Sequence, residues 1–285
     1  MVRSAVTICL VPEAAAGPFV FHGDCAGACA SAARLGFDAV EIFAPDAAAV
    51  RALNLPKLLG DNGLSLAALG TGAGFLQRQL TLTSPSAAVR AEAIDFVRAM
   101  IDVAAEFKSA VIVGSMQGRC TPEVPRDRAI GYLWEALFVL GDHAPPLNVK
   151  VFYEPLNRYE TNLANTVGAG LTIIEKLSTK NVVLLADLFH MNIEERDIAA
   201  ALLDAESITA ERRGGWPVVG HVHFADSNRR APGFGHTDFA PIAAALREIN
   251  YDGYISAEVL PWPDAEAAAA QTMTAFRQHF PRPVS

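Results

Sequence analysis

Short apolar runs alternate along this chain with longer stretches whose apolar residues recur every three and four positions, the signatures of buried strands and amphipathic helices. VTICLV (6–11) reads as the first strand. Gly23 and Asp24 then open a helix, with Asp24 as its N-cap, that runs to Gly36. DAVEIFAP (38–45) is a second strand, closed by Pro45 and Asp46, and AAAVRALNLPKLLGDNG a second helix. LSLAALGTG (64–72) is a third strand, and Ser84, Pro85 and Ser86 cap the long helix AAVRAEAIDFVRAMIDVAAEFK. SAVIVGSM (109–116) and RDRAIGYLWEALFVLGDHA make the fourth pair, NVKVFYEP and ANTVGAGLTIIEKL the fifth. NVVLLADLFH precedes an IEERDIAAALLDA helix, and VVGHVHFAD precedes TDFAPIAAALREIN. GYISAEVL and the closing helix DAEAAAAQTMTAFRQHF complete the series.

Eight strand-then-helix units predict a parallel sheet with right-handed crossovers. The strands are apolar almost throughout, as strands covered on both faces are. The fold class that follows is α/β, a (β/α)8 TIM barrel, and no linker or charge block divides the expected single domain, 1–285. An open doubly wound sheet would place a glycine fingerprint after its first strand, and LVPEAAAGPFVFHG has none. The GTGAGF run (70–75) has the wrong spacing for a phosphate loop and is expected to be a flexible active-site loop.

Composition narrows the partners. A net charge of −8 over 285 residues argues against a nucleic-acid partner, which requires a basic stripe. No run approaches the ~18 apolar residues of a membrane span. The apolar opening is broken by Pro12 and Glu13 too early for a signal-peptide core. Four cysteines without a CxxC pair fit a reduced, cytoplasmic setting, with Cys25 and Cys29 on a buried helix face.

Candidate chemistry collects at the ends of the last four strands: Glu154 in VFYEP, Asp187 in VVLLAD, His223 in VGHVHF and Glu258 in YISAEV. Alternation puts Phe152 with Glu154, Leu185 with Asp187, His221 with His223 and Ser256 with Glu258, each pair on one face. The last member of each pair therefore points into the barrel at its upper rim, where barrel enzymes place their active sites. An acid after a strand often only caps the next helix. Four equivalent positions on neighbouring strands are harder to explain so, and burying three acids without a cation is costly. Oxygen-rich ligands with one imidazole suit Mn²⁺ first, with Mg²⁺, Co²⁺ or Zn²⁺ as the other candidates. Around them Glu160, His190 and Arg229, with Asn228 beside it, are suited to holding hydroxyl and carbonyl groups. Glu41 and Gln117 are weaker candidates, and His221 is expected in a lower layer. Ligands splayed apart, or neutralised by lysine or arginine with no cation between them, would end the metal reading.

At these residues the chain resembles the xylose-isomerase-like TIM-barrel superfamily of sugar isomerases and epimerases, in particular its D-tagatose 3-epimerase and D-psicose 3-epimerase branch. The resemblance lies in EPLNRYE (154–160), DLFHMNIEE (187–195), GHVHFADSNRRAPGFG (220–235) and INYDGYISAEV (249–259). It implies Glu154, Asp187, His223 and Glu258 as metal ligands, Glu154 and Glu258 doubling as the acid–base pair, and Glu160, His190 and Arg229 as substrate holders. It also implies a homodimer or homotetramer. The first half of the chain shares only the strand-helix rhythm, and its SMQGR resembles an element of hydroxypyruvate-isomerase-like members.

The expected reaction is proton abstraction beside a ketone through a cis-enediolate, with a divalent ion polarising the carbonyl. Return of the proton to the same carbon epimerises; return to the adjoining carbon isomerises. The expected substrate is a small sugar or keto acid, with 3-epimerisation of a free ketose first. A hydroxypyruvate-type isomerase and a dehydratase are the alternatives among enzymes. A non-catalytic sugar binder is the alternative from another class, and DNA-repair endonucleases of this fold would need several metals and a basic face.

Overall fold

The computed structural model describes residues 1–212 and 217–281, so the expected domain, 1–285, ends outside the described residues. Its strands are β1 (Arg3–Cys9), β2 (Phe21–His22), β3 (Ala39–Phe43), β4 (Ser65–Gly70), β5 (Ala110–Val113), β6 (Val151–Tyr153), β7 (Val182–Asp187), β8 (Val219–His223) and β9 (Tyr254–Ala257). All described pairings are parallel, and β9 pairs back onto β1, which closes the sheet into a cylinder of eight staves. Each expected strand forms a stave. The unexpected member is β2, two residues laid on the upper end of β1 opposite Ile8 and Cys9. It is too short to leave a periodic signal.

The two faces of the staves pack into separate clusters. Ala5, Ala39 and Ala67, with Ala68, Ala110, Ile112, Phe152, Val183 and Leu185, fill the cylinder. Branched residues such as Val6, Ile42, Leu69, Val111 and Leu184 face outward and pack with the helices in the main core. Above the apolar plug the interior turns polar: Glu41, Glu154, Asp187, His221 and His223 are all buried. The staves thus end in a floor on which buried charge stands.

Three helical expectations are corrected. The helix expected over 47–63 is two, Ala47–Ala52 and Leu55–Asn62, with Asn54 at φ 49° between them. Pro56 cannot continue a preceding helical turn, and asparagine tolerates the left-handed region. The DLFH segment does not extend β7; a helix Leu188–Glu194 begins at once, and the next runs Ile198–Arg212. The GTGAGF run is partly helical, Ala73–Arg78, leaving Gly70, Thr71 and Gly72 at the barrel mouth. Among the described residues, no helix is long and apolar enough to cross a membrane.

Gln117 ties the turn after β5 to the end of β6. Its Nε2 donates to the carbonyls of Gly114 (3.0 Å) and Glu154 (2.9 Å), and its Oε1 accepts from the Tyr153 hydroxyl at 2.9 Å. All of these groups are buried, so the residue expected as a weak site candidate is a structural pin. Gln117→Ala would strand its partners without water, and each stranded group costs about 1–3 kcal/mol. The expected outcome is a lower urea midpoint with an unchanged slope, read by circular dichroism.

Candidate active site

Glu154 is the first residue beyond β6, and its N–H still donates to Val113 O (3.1 Å) before Pro155 ends the ladder. Asp187 and His223 are the last residues of β7 and β8 and lie directly opposite each other in the register. Glu258 follows β9 immediately. The four residues expected to converge do so. His223 Nδ1 lies 3.5 Å from Glu154 Oε1, 3.5 Å from Asp187 Oδ2 and 3.4 Å from Glu258 Oε2. One ligand atom from each of the four falls within 4.8 Å of the others.

Asp187 also does what an acid after a strand commonly does. Its Oδ1 accepts from the N–H groups of Phe189 (2.7 Å) and His190 (3.3 Å), capping the helix that follows. The cap uses one oxygen only, and Oδ2 remains buried without a hydrogen-bond partner. His223 Nδ1 and His190 Nε2 are buried and unpartnered in the same way. Bare donors and acceptors of this kind, aimed at one point, are what a cation and a substrate oxygen would satisfy.

Glu41, on β3 across the barrel, decides the state of the imidazole. Its Oε2 accepts from His221 Nε2 at 2.8 Å and its Oε1 from His223 Nε2 at 3.1 Å. Burial opposes ionisation of Glu41, yet His223 and His221 outweigh it and hold the carboxyl well below its ordinary pKa. With Nε2 committed to Glu41, Nδ1 is the ring atom that carries a proton or a cation toward the three carboxylates. Burial alone would discharge the ring, but Glu258, Glu41, Asp187 and Glu154 raise its pKa well above normal, so positive charge is strongly favoured here. Burial raises the pKa of Glu154. Asp187 is buried too, but His190, His223 and Arg229 hold it below its usual value.

Arg229 is the basic side chain that reaches these acids among the described residues: 2.6 Å from Glu258 Oε2 and 3.6 Å from Asp187 Oδ2. One guanidinium on the outer side leaves three carboxylates undercompensated, and the pocket fits a divalent ion through one oxygen each from Glu154, Asp187 and Glu258 and through His223 Nδ1. Arg229 itself is held in an unusual backbone state, φ 59°. Its N–H donates to Asp226 O (2.8 Å), while the buried Asp226 carboxylate gathers the N–H groups of Ser227, Gly233 and Thr237. The guanidinium then lies over the Phe189 ring at 4.6 Å. Asn228 turns away, donating to Phe234 O.

Asn157 sets the tautomer of His190. Its backbone N–H (3.3 Å) and its side-chain Nδ2 (2.7 Å) both approach His190 Nδ1. The amide orientation is fixed because Nδ2 also donates to Glu160 Oε1 and Oδ1 accepts from Tyr159 N. A nitrogen that receives two donors carries no proton, so the His190 proton sits on Nε2 and points into the site. Glu160 lies 3.5 Å from Arg229 Nη1. All three expected substrate holders therefore line one cavity of about 260 Å³ with Glu41, Glu154, His223 and Glu258. Gly114 forms its wall beside Glu154; a Cβ there would run into the Glu154 carboxylate.

Glu41, Asn157 and Asp226 are the parts that motif reading undervalued. Glu41 shares the inward alternation of its strand with Ala39, which is a usable signal; Asn157 and Asp226 act through loop hydrogen bonds that no periodicity encodes. The remaining histidines stay outside the site: His143 meets Asp102 on the surface, and His236 meets Ser227.

The profile of the family described as xylose isomerase-like TIM barrel matches residues 29–279. The chain is 32% identical over 233 residues to a D-psicose 3-epimerase of Agrobacterium fabrum (strain C58 / ATCC 33970), covering 79% of this chain and 76% of that protein. It is 30% identical over 254 residues to an L-ribulose 3-epimerase of Methylomonas sp. (strain DH-1), with coverage of 88% and 83%. Among solved structures, a D-allulose 3-epimerase from Methylomonas sp. in complex with D-allulose aligns with a TM-score of 0.79 at 26% identity, over 98% of this chain and 97% of that one.

The Glu41 geometry makes a prediction separable from turnover. In Glu41→Gln one histidine must face the amide nitrogen and give up its Nε2 proton, which disturbs the imidazole that faces the acids. Loss of such an outer partner typically costs about 10–100-fold in metal affinity. Calorimetric titration of Mn²⁺ into metal-stripped protein should show a loss of that size, with the circular dichroism spectrum unchanged.

Proposed function

Because the chain belongs to the xylose isomerase-like TIM-barrel family, we propose that it is a metal-dependent ketose epimerase that removes and returns the proton at C3 of a free ketose. The names of its relatives, D-psicose 3-epimerase and L-ribulose 3-epimerase, support C3 of a ketose as the reacting position. The observation that carries the reading is the placement of two glutamates, after β6 and after β9, at the two ends of the strand order that sets Asp187 on β7 and His223 on β8 between them. Acids on opposite sides of one carbon are what inversion at that carbon requires.

A divalent ion held by Glu154, Asp187, His223 and Glu258, with Mn²⁺ first and Mg²⁺, Co²⁺ or Zn²⁺ as alternatives, supplies Lewis-acid polarisation of the ketone when bound. Glu154, whose burial raises its proton affinity, takes or returns the proton on one face. Glu258 does the same on the other, with Arg229 beside its Oε2 to compensate its charge. His190 donates its Nε2–H to a substrate oxygen, as its tautomer dictates. Arg229 and Glu160 orient the adjoining hydroxyls, and hydrogen bonds from His190 and Arg229 strengthen as charge builds on oxygen in the enediolate.

Four free thiols support a reducing, cytoplasmic setting. A homodimer or homotetramer belongs to the same reading, in keeping with a sequence that is 51% hydrophobic.

Metal-stripped protein restored with Mn²⁺ should convert at least one ketose of a free-ketose panel to its C3 epimer in D₂O, with deuterium at C3 detected by NMR. Deuterium at the adjoining carbon together with an aldose product would show isomerisation instead. Glu154→Gln and Glu258→Gln should each lose at least about 10²–10⁴-fold in exchange rate, the usual contribution of a positioned acid–base group. In Arg229→Ala, KM should rise more than kcat falls.

A further inference from the structure

We propose that the protein also acts on ketoses carrying a second, uncharged sugar ring, because the reacting cavity adjoins a chamber suited to receive one. The chamber, about 370 Å³, shares Ser115, Leu156 and Glu160 with the reacting cavity. Glu160, 43% exposed at its side chain, lines both spaces, and Asn157 steadies its Oε1. A substituent on the end of the sugar that Glu160 faces would extend toward this chamber. The inference rests on the proton-transfer reading of the site and enlarges its substrate class.

The walls of the chamber distinguish a neutral ring from an anionic group. Phe75, Pro85 and Leu156 give it apolar faces, and Phe75 remains 38% exposed. Three of its hydroxyls engage the backbone: Thr83 Oγ1 donates to Gln117 O (3.0 Å), Thr121 Oγ1 accepts from Val124 N and Ser84 Oγ from Ser86 N. The backbone N–H groups of Leu82, Ser84, Gly118 and Thr121 are likewise turned to carbonyls, so these donors form no phosphate-binding nest. Arg119 is the cation among its lining residues, and the Glu160 carboxylate lines the same space. Apolar walls with a few polar groups at the edge match the apolar face and hydroxyl rim of a pyranose.

The test uses the Mn²⁺-loaded protein in D₂O with D-fructose, with glucosyl-fructose disaccharides joined through O-1, O-4, O-5 or O-6, and with fructose 1-phosphate. Deuterium incorporation into the fructose unit is followed by NMR. One linkage should exchange with a kcat/KM at or above that of D-fructose. Thr81→Trp, which fills the chamber, and Phe75→Ala, which removes its wall, should each lower that value roughly tenfold or more while D-fructose exchange changes less than about twofold. Circular dichroism checks that both variants fold, and Phe75 is exposed enough that its truncation spares the core. Exchange of D-fructose with none of the disaccharides overturns the proposal, as does a parallel loss on both sugars in the variants. An Arg119-dependent preference for fructose 1-phosphate over every disaccharide overturns the neutral ring. Exchange into no sugar at all overturns the underlying proton-transfer reading and this one with it.

Discussion

Three buried carboxylates facing one imidazole nitrogen set the terms for everything else at the mouth of this barrel. Like charges held this close in a low-dielectric interior repel strongly, and an uncompensated buried charge can cost several kcal/mol. The chain meets the problem partly with its own groups. Arg229 approaches from outside, and His190 turns an N–H inward. What these leave over, two unpartnered ligand atoms and an excess of negative charge, is the property that suits the pocket to a cation. The staves hold the acids in this unfavourable arrangement because the layers below, Phe152, Val183, Leu185 and Ile112, are closely packed and cannot relax.

Much of the precision comes from residues that divide their bonding. Asp187 uses one oxygen to cap a helix and offers the other to the site, so its carboxylate cannot rotate without breaking the cap. Glu41 holds two histidines at once, and Asn157 holds His190 and Glu160 at once. Asp226 organises the loop that carries Arg229, although it contributes no group to the cavity. Each arrangement places a functional atom through a neighbour with a structural task of its own, which leaves few degrees of freedom at the reacting point.

How far the sequence alone reaches follows from the same division. The eight staves were legible because each is a nearly continuous apolar run between breakers, and the four converging groups because alternation and strand ends place them without help from any loop. Helix limits failed where one residue overruled the periodicity: Pro56 with Asn54 in one case, the immediate cap by Asp187 in another. Glu41 was underweighted because its partner is some 180 residues away in sequence, and pairing across a barrel leaves no local trace. Gln117 looked like a pocket group because it follows a strand end, but its hydrogen bonds all run back into the scaffold.

The two glutamates that would share the proton traffic differ in their surroundings, and this bears on how a reversible reaction can run between them. Glu154 lies against Gly114, with the imidazoles of His223 and His190 as its polar neighbours and no guanidinium in contact. Glu258 shares an oxygen with Arg229. An epimerase needs each acid as base in one direction and as proton donor in the other. The two acids meet that requirement beside different neighbours, imidazoles on one side and a guanidinium on the other. Arg229 also reaches Asp187 and Glu160. On the proposed reading one arginine is thus shared between an acid that moves the proton and a group that holds the sugar, so substrate binding and proton transfer draw on the same side chain.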